Sequence, residues 1–125
     1  MSNAALTYTQ YLKIDELLSL NEPQSDEHDE PLFIAIHQVY ELWFKQVLWE
    51  FGKAQRTLES GDTFSSLATL GRIRTILKVC VSQLDILETM TPLQYNTFRD
   101  RLTSGSGFQS AQFREFEAVL GRRDQ

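Results

Sequence analysis

From Leu32 to Phe51 the chain contains neither glycine nor proline, the two residues that interrupt helices most effectively. Within that run Phe33, Ile36, Tyr40, Trp43, Phe44, Val47, Leu48 and Phe51 recur at helical spacing. At about 100° per residue they occupy one arc of roughly 140°. His37 falls inside the arc, between Phe33 and Phe44, whereas Leu42 and Trp49 fall on the opposite side. A helix that is apolar on more than one face belongs at the centre of a bundle or between subunits.

Such a helix needs partners, and the rest of the chain predicts them. A first, short helix is expected over about Thr7–Leu20, and Asn21-Glu-Pro-Gln-Ser-Asp26 reads as the loop after it. Glu30-Pro31 fits an N-cap and first-turn pair for the long helix, with the acids at 26–30 complementing its dipole. Gly61-Asp62 makes a turn, and a third helix is expected from about Thr63 to Met90. In it Leu70/Ile73, Leu77/Cys80 and Leu84/Leu87 give three heptads of seam positions for an antiparallel neighbour. Cys80 on that seam reads as a buried, inert thiol. Thr91-Pro92-Leu93-Gln94 combines a capping box with proline at the first helical position, opening a short helix to about Leu102. Thr103–Gly107 breaks it, and a last helix spans roughly Gln109–Leu120, closed by Gly121. No segment reads as a strand. The expected fold is all-α: a helical bundle with two long antiparallel helices plus shorter ones, no sheet, forming one domain over residues 5–125. Met1-Ser2-Asn3-Ala4 reads as a tag remnant.

Composition narrows the function. The 125 residues include 42% hydrophobic and 23% charged side chains, with a mean hydropathy of -0.31, as expected of a folded, soluble domain. No apolar run approaches the roughly 18–20 residues of a membrane span. Cys80 is the one cysteine, which excludes an internal disulfide framework and a multi-thiolate zinc site. The start lacks the basic and apolar regions of a secretory signal, so the cytoplasm is the expected compartment. Net charge is -5 and the pI near 5.0, unlike a nucleic-acid binder. The acids concentrate in residues 1–62, leaving the second half mildly basic.

Few residues are candidates for chemistry. His37 on an apolar helix face needs partners for both ring nitrogens, and fits either a satisfied core histidine or a neutral imidazole facing a ligand. Phe33, one turn earlier, fits core packing or the wall of a flat ligand. Tyr95 and Arg99 are spaced i, i+4, placing phenol and guanidinium on one side of a helix. The arginine fork suits a carboxylate, but from spacing alone stacking of the pair on the surface is the commoner arrangement. Gly105-Ser106-Gly107 allows close backbone approach to a ligand, or simply connects two helices. His28 among Asp26, Glu27, Asp29 and Glu30 reads as a solvated cap rather than a metal site. Neither histidine has a second at ligand spacing, so no metal ligand set is expected in this chain.

Taken together, Thr7-Tyr-Thr-Gln-Tyr-Leu-Lys-Ile-Asp-Glu-Leu-Leu18, HDEPLFIAIHQVYELWFKQ at 28–46, QLDILETMTPLQYNTFR at 83–99 and SGSGFQSAQFRE at 104–115 resemble the N-terminal half of tryptophan 2,3-dioxygenases. The resemblance implies an all-α, haem-dependent, typically homotetrameric enzyme. Such an enzyme uses O2 to open the indole ring of L-tryptophan, giving N-formylkynurenine at the head of the kynurenine route. By the same resemblance His37 is the distal-side histidine that hydrogen-bonds the indole N–H, and Phe33 packs against the indole. Arg99 binds the substrate carboxylate and Tyr95 completes that side. Ser106 and Gly107 lie beside the haem. Tyr8, Tyr11 and Leu12 match a segment that reaches into a neighbouring subunit's site.

Departures from the family pattern matter as well. Gly105 stands where relatives often have serine, and Leu84 where many have tryptophan. Family members are longer, and both the proximal histidine that ligates iron and a threonine that helps hold the substrate ammonium lie in the part with no counterpart here. The expectation is therefore a truncated or cleaved fragment carrying the distal and substrate-binding face, inactive alone, and at least a dimer. The alternative is a short non-catalytic homologue serving as a ligand-binding or helical assembly module.

Overall fold

The computed structural model describes residues 5–99, 110–119 and 121, with the backbone alone for 96–99. Among the described residues six helices follow one another: α1 (Tyr8–Leu12), α2 (Ile14–Ser19), α3 (Glu30–Glu59), α4 (Thr63–Leu87), α5 (Pro92–Arg99) and α6 (Ala111–Val119). No strand occurs among the described residues, in agreement with the all-α expectation.

The long helix is longer than its uninterrupted run. It continues through Gly52 to Glu59, a length of about 45 Å at 1.5 Å per residue. A turn with Gly61 at φ 82 follows, a left-handed conformation that glycine adopts without a Cβ clash. Asp62 then caps α4 by accepting from the Ser65 N–H at 3.0 Å. Hydrogen bonding from Ser65, its side chain first and its backbone N–H second, holds the Asp62 carboxyl below its ordinary value, because it stabilises the charged form.

Helices α3 and α4 run antiparallel, as three cross-helix bonds show. Thr57 and Ser66 hydroxyls meet at 2.7 Å beside the turn. Midway, the Arg72 guanidinium donates to Glu50 Oε1 at 2.9 Å. Farther along, the Tyr40 phenol donates to the Cys80 carbonyl at 3.0 Å. Between these ties lies a core of Val47, Ile73, Ile76 and Cys80, flanked by Tyr40, Trp43, Phe51, Leu77 and Phe116. Cys80 is buried as expected, and burial pushes its thiol up, keeping it protonated.

The seam is turned relative to the heptads read from sequence. Ser66, Thr69, Ile73, Ile76 and Cys80 are the buried positions of α4, whereas Leu70 and Leu84 are exposed. Small hydroxyl residues permit close approach near the turn. Each is satisfied within its own helix: Ser66 donates to the Asp62 carbonyl and Thr69 to the Ser65 carbonyl.

Two other boundaries differ. The first helix is broken at Lys13, whose φ of 54 and ψ of 47 are left-handed, so α1 and α2 meet at a bend. A capping box of Thr7 and Gln10 opens α1. At the start of α3 the N-cap is Asp29 rather than Glu30, and no side chain caps the helix. Glu30 occupies the first helical position with 0% exposure. Its carboxylate accepts from the Gln24 N–H at 2.8 Å and from the Ser25 hydroxyl. Glu30 is therefore a buried loop anchor and not part of a solvated acidic cap. The predicted capping box at α5 is present: the Thr91 N–H donates to Gln94 Oε1 at 2.8 Å and the Gln94 N–H to Thr91 Oγ1 at 3.2 Å.

Candidate functional site

One face of α3 carries a continuous row of rings. Phe33, His37, Tyr40 and Phe44 are spaced i, i+4, i+7, i+11, which aligns them along a single helical face. The Phe33 and His37 ring centroids lie 4.3 Å apart, those of His37 and Tyr40 6.4 Å, and those of Tyr40 and Phe44 5.9 Å in a stacked pair. At one end Tyr95 of α5 approaches Phe33 at 5.5 Å. At the other, Phe113 and Phe116 of α6 close on Phe44 at 5.7 and 6.0 Å.

Helix α6 is fixed there by a polar latch: Gln112 Nε2 donates to the Glu41 carbonyl at 2.9 Å and to Glu41 Oε2 at 2.8 Å. Together these elements enclose an open groove of about 610 Å³. His37, Tyr40 and Phe44 form one wall, the Leu77, Cys80, Val81, Leu84 and Leu87 face of α4 another, and Phe113 and Phe116 the end. Leu84, left off the α3–α4 seam, thus becomes groove wall. Among the described residues of the lining Glu41, engaged by Gln112, is the one acidic side chain.

His37 has a defined chemical role in this setting. Its Nδ1 lies 2.8 Å from the Phe33 carbonyl oxygen. A carbonyl can only accept, so Nδ1 carries the hydrogen, and Nε2 of the neutral ring is left with a lone pair. His37 therefore contributes a directional acceptor to a largely apolar groove, the pattern of a site for a flat, largely apolar ligand with an N–H donor. Tyr40 is kept protonated, since burial pushes its phenol up.

Three of the sequence-predicted site residues, Phe33, His37 and Tyr95, come together here. Arg99 is the last residue of α5, and its side chain lies outside the described residues, as do Ser106 and Gly107. Tyr8, Tyr11 and Leu12 sit on α1, which packs on α2, and all three are exposed. The sequence reading missed Phe113 and Phe116 as groove residues; their i, i+3 spacing on a short amphipathic helix was the available signal. Among the described residues no three His, Cys, Asp or Glu side chains gather to hold a metal ion.

The fold and groove define an all-α protein in which a central helix presents a histidine within an aromatic wall to an open apolar cleft. A sequence profile of the family described as tryptophan 2,3-dioxygenase matches residues 1–125. Proteins named tryptophan 2,3-dioxygenase align along nearly the whole chain. One from Anaeromyxobacter sp. (strain K) is 61% identical over 123 residues, covering 98% of this chain and 46% of the relative. One from Herpetosiphon aurantiacus is 60% identical over 119 residues, covering 94% and 46%. One from Xenopus laevis is 43% identical over 131 residues, covering 96% and 32%. The chain belongs to the tryptophan 2,3-dioxygenase family, and it spans just under half the length of the bacterial relatives named here.

Proposed function

We propose that this chain carries the substrate-binding face of a haem-dependent dioxygenase that opens the indole ring of L-tryptophan with O2, giving N-formylkynurenine. The observation that carries this reading is the Nδ1–H of His37 donated to the Phe33 carbonyl at 2.8 Å. It fixes the tautomer whose Nε2 accepts the indole N–H. The Phe33 ring, 4.3 Å from the imidazole, packs against the indole, with Tyr95 behind it. Arg99, one turn beyond Tyr95, takes the carboxylate in its planar fork. Positioning of this kind lowers the barrier by holding the reacting carbons in one orientation.

The groove suits one face of a haem. A porphyrin is a flat, hydrocarbon-rich ring, and among the described residues the lining is mostly leucine, valine and aromatic side chains, with His37, Cys80, Ser110 and a Glu41 carboxylate already bonded to Gln112. Tyr40, Phe44, Leu84 and Phe113 would flank it, with Ser106 and Gly107 beside it. The haem, when bound, supplies the redox chemistry that adds O2 across the indole double bond. What this chain adds is orientation and exclusion of water. In the assembled enzyme Tyr8, Tyr11 and Leu12 complete a neighbouring subunit's substrate site, in a cytoplasmic homo-oligomer. No helix among the described residues is long and apolar enough to cross a membrane.

A chimera tests this reading. The chain replaces the matching segment of the Anaeromyxobacter relative, and N-formylkynurenine formation from L-tryptophan and O2 is followed. The chimera is expected to turn over. His37→Ala should lower kcat/KM by about 10–100-fold, the cost of losing one buried hydrogen bond. Arg99→Lys should act mainly by raising KM. A folded, haem-loaded chimera that does not oxidise tryptophan would overturn the proposal.

A further inference from the structure

The row of residues along α3 starts one turn before Phe33. Glu30, Phe33 and His37 stand at i, i+3, i+7 and share a helical face. Glu30 is the largest of the fully buried side chains, and an ionisable group is rarely placed so deep unless its partners are built around it. Its partners belong to the loop that joins the N-terminal arm, residues 5–20, to α3. The Gln24 N–H donates to Glu30 Oε2 at 2.8 Å and the Ser25 hydroxyl to Oε1. Ser25 Oγ in turn accepts from the Glu27 N–H at 3.3 Å.

Two further ties lie at the same root. Asn21 Nδ2 donates to the Pro31 carbonyl at 3.0 Å. Gln38 Nε2 donates to the Leu20 carbonyl, also at 3.0 Å. The arm itself is otherwise exposed, with Leu6, Tyr8, Tyr11, Leu17, Leu18 and Leu20 all open to solvent.

We infer that Glu30 is a positioning residue: its buried carboxylate clasps the 21–26 loop to the first turn of α3 and so sets the direction in which the Tyr8–Tyr11 arm leaves the body. A carboxylate with two donors from consecutive residues fixes both the position and the rotation of that loop. The backbone carbonyl ties from Asn21 and Gln38 then limit the remaining swing. The importance of arm direction for substrate binding rests on the function proposed above; the clasp itself does not.

The test is a distance measurement needing neither haem nor tryptophan, so its result is independent of whether that function holds. Pairs of spin labels are introduced by Asp15→Cys with Lys45→Cys, spanning arm and α3, and by Lys53→Cys with Lys78→Cys, spanning α3 and α4, in a Cys80→Ala background. Glu30→Ala is expected to broaden the arm-to-α3 distance distribution about two-fold through local release of the arm, leaving the α3–α4 pair unchanged. Glu30→Gln retains an acceptor for the Gln24 N–H and a donor for Ser25 Oγ, and should stay narrow. Equal arm distributions in wild type and Glu30→Ala would overturn the inference. So would broadening of both pairs together, or Glu30→Gln as broad as Glu30→Ala. Should Glu30→Ala not fold, Ser25→Ala decides: broadening of the arm pair alone supports the clasp, and an unchanged distribution overturns it.

Discussion

At the scale of single residues, the chemistry of the groove depends on which nitrogen of His37 carries its hydrogen. The helix settles this internally, because the acceptor for Nδ1–H is the carbonyl of Phe33, one turn earlier in the same helix. The tautomer therefore precedes any ligand. In alkaline solution, 15N spectra of the chain should show a pyrrole-like Nδ1 and a pyridine-like Nε2 for His37. The opposite assignment would remove the acceptor that the indole N–H requires. The position of His37 on an apolar arc was legible in the sequence, since helical spacing alone places it beside Phe33. Glu30 was not. Among Asp26, Glu27 and Asp29 it has the composition of a solvated cap, and only the path of the 21–26 loop, which no local pattern encodes, brings Gln24 and Ser25 onto its carboxylate.

At the scale of elements, the two long helices and their antiparallel order were legible, and the rotation of α4 was not. Ile73, Cys80 and Leu87 belong to two candidate seams, one completed by Leu70, Leu77 and Leu84, the other by Thr69, Ile76 and Gln83. Hydropathy favours the leucines. Packing favours the second row, because Ser66 and Thr69 are small enough for close contact at the turn, while Leu77 and Leu84 line the groove. The two seams differ in a measurable way. Ile73 is 3% exposed and Leu70 39%. Ile73→Ala should lower unfolding stability by about 2–5 kcal/mol, as a cavity in a packed core does. Leu70→Ala should stay within about 0.5 kcal/mol of the parent. Denaturation midpoints of the two variants check this, and a reversal of the order would restore the leucine seam. Lys13 escaped the sequence reading for a related reason: a left-handed lysine carries no compositional mark, whereas Gly61 and Gly121, both at positive φ, announce their turns.

At the scale of the whole molecule, the number of apolar faces exceeds what the described helices cover. The main face of α3 is filled by α4 and α6. A second open groove of about 900 Å³ remains, lined by Val39, Leu42, Trp43, Leu48 and Trp49 of α3 with Lys45, Gln46, Gln112 and Glu115, and Trp49 is 72% exposed. The arm adds a further row of exposed leucine and tyrosine side chains. Single exposed apolar residues are ordinary on a protein surface, but five apolar side chains in one groove, with polar residues beside them and an apolar arm, mark a surface that meets another. Burial of each large side chain contributes about 1.5–3 kcal/mol, so a handful of them offsets the cost of association, on the order of 4–15 kcal/mol. Light scattering after size-exclusion chromatography should therefore give a mass at least twice the 14.5 kDa of the chain. Trp49→Lys and Leu42→Lys should shift that mass toward the monomer, because a lysine ammonium in an apolar interface must be either desolvated or withdrawn. Neither substitution touches the His37 groove, so the 15N pattern of His37 should survive both. A wild-type chain that elutes at 14.5 kDa at micromolar concentration would mean that these faces tolerate water, and that the apolar outer side of α3 has no partner in a second copy.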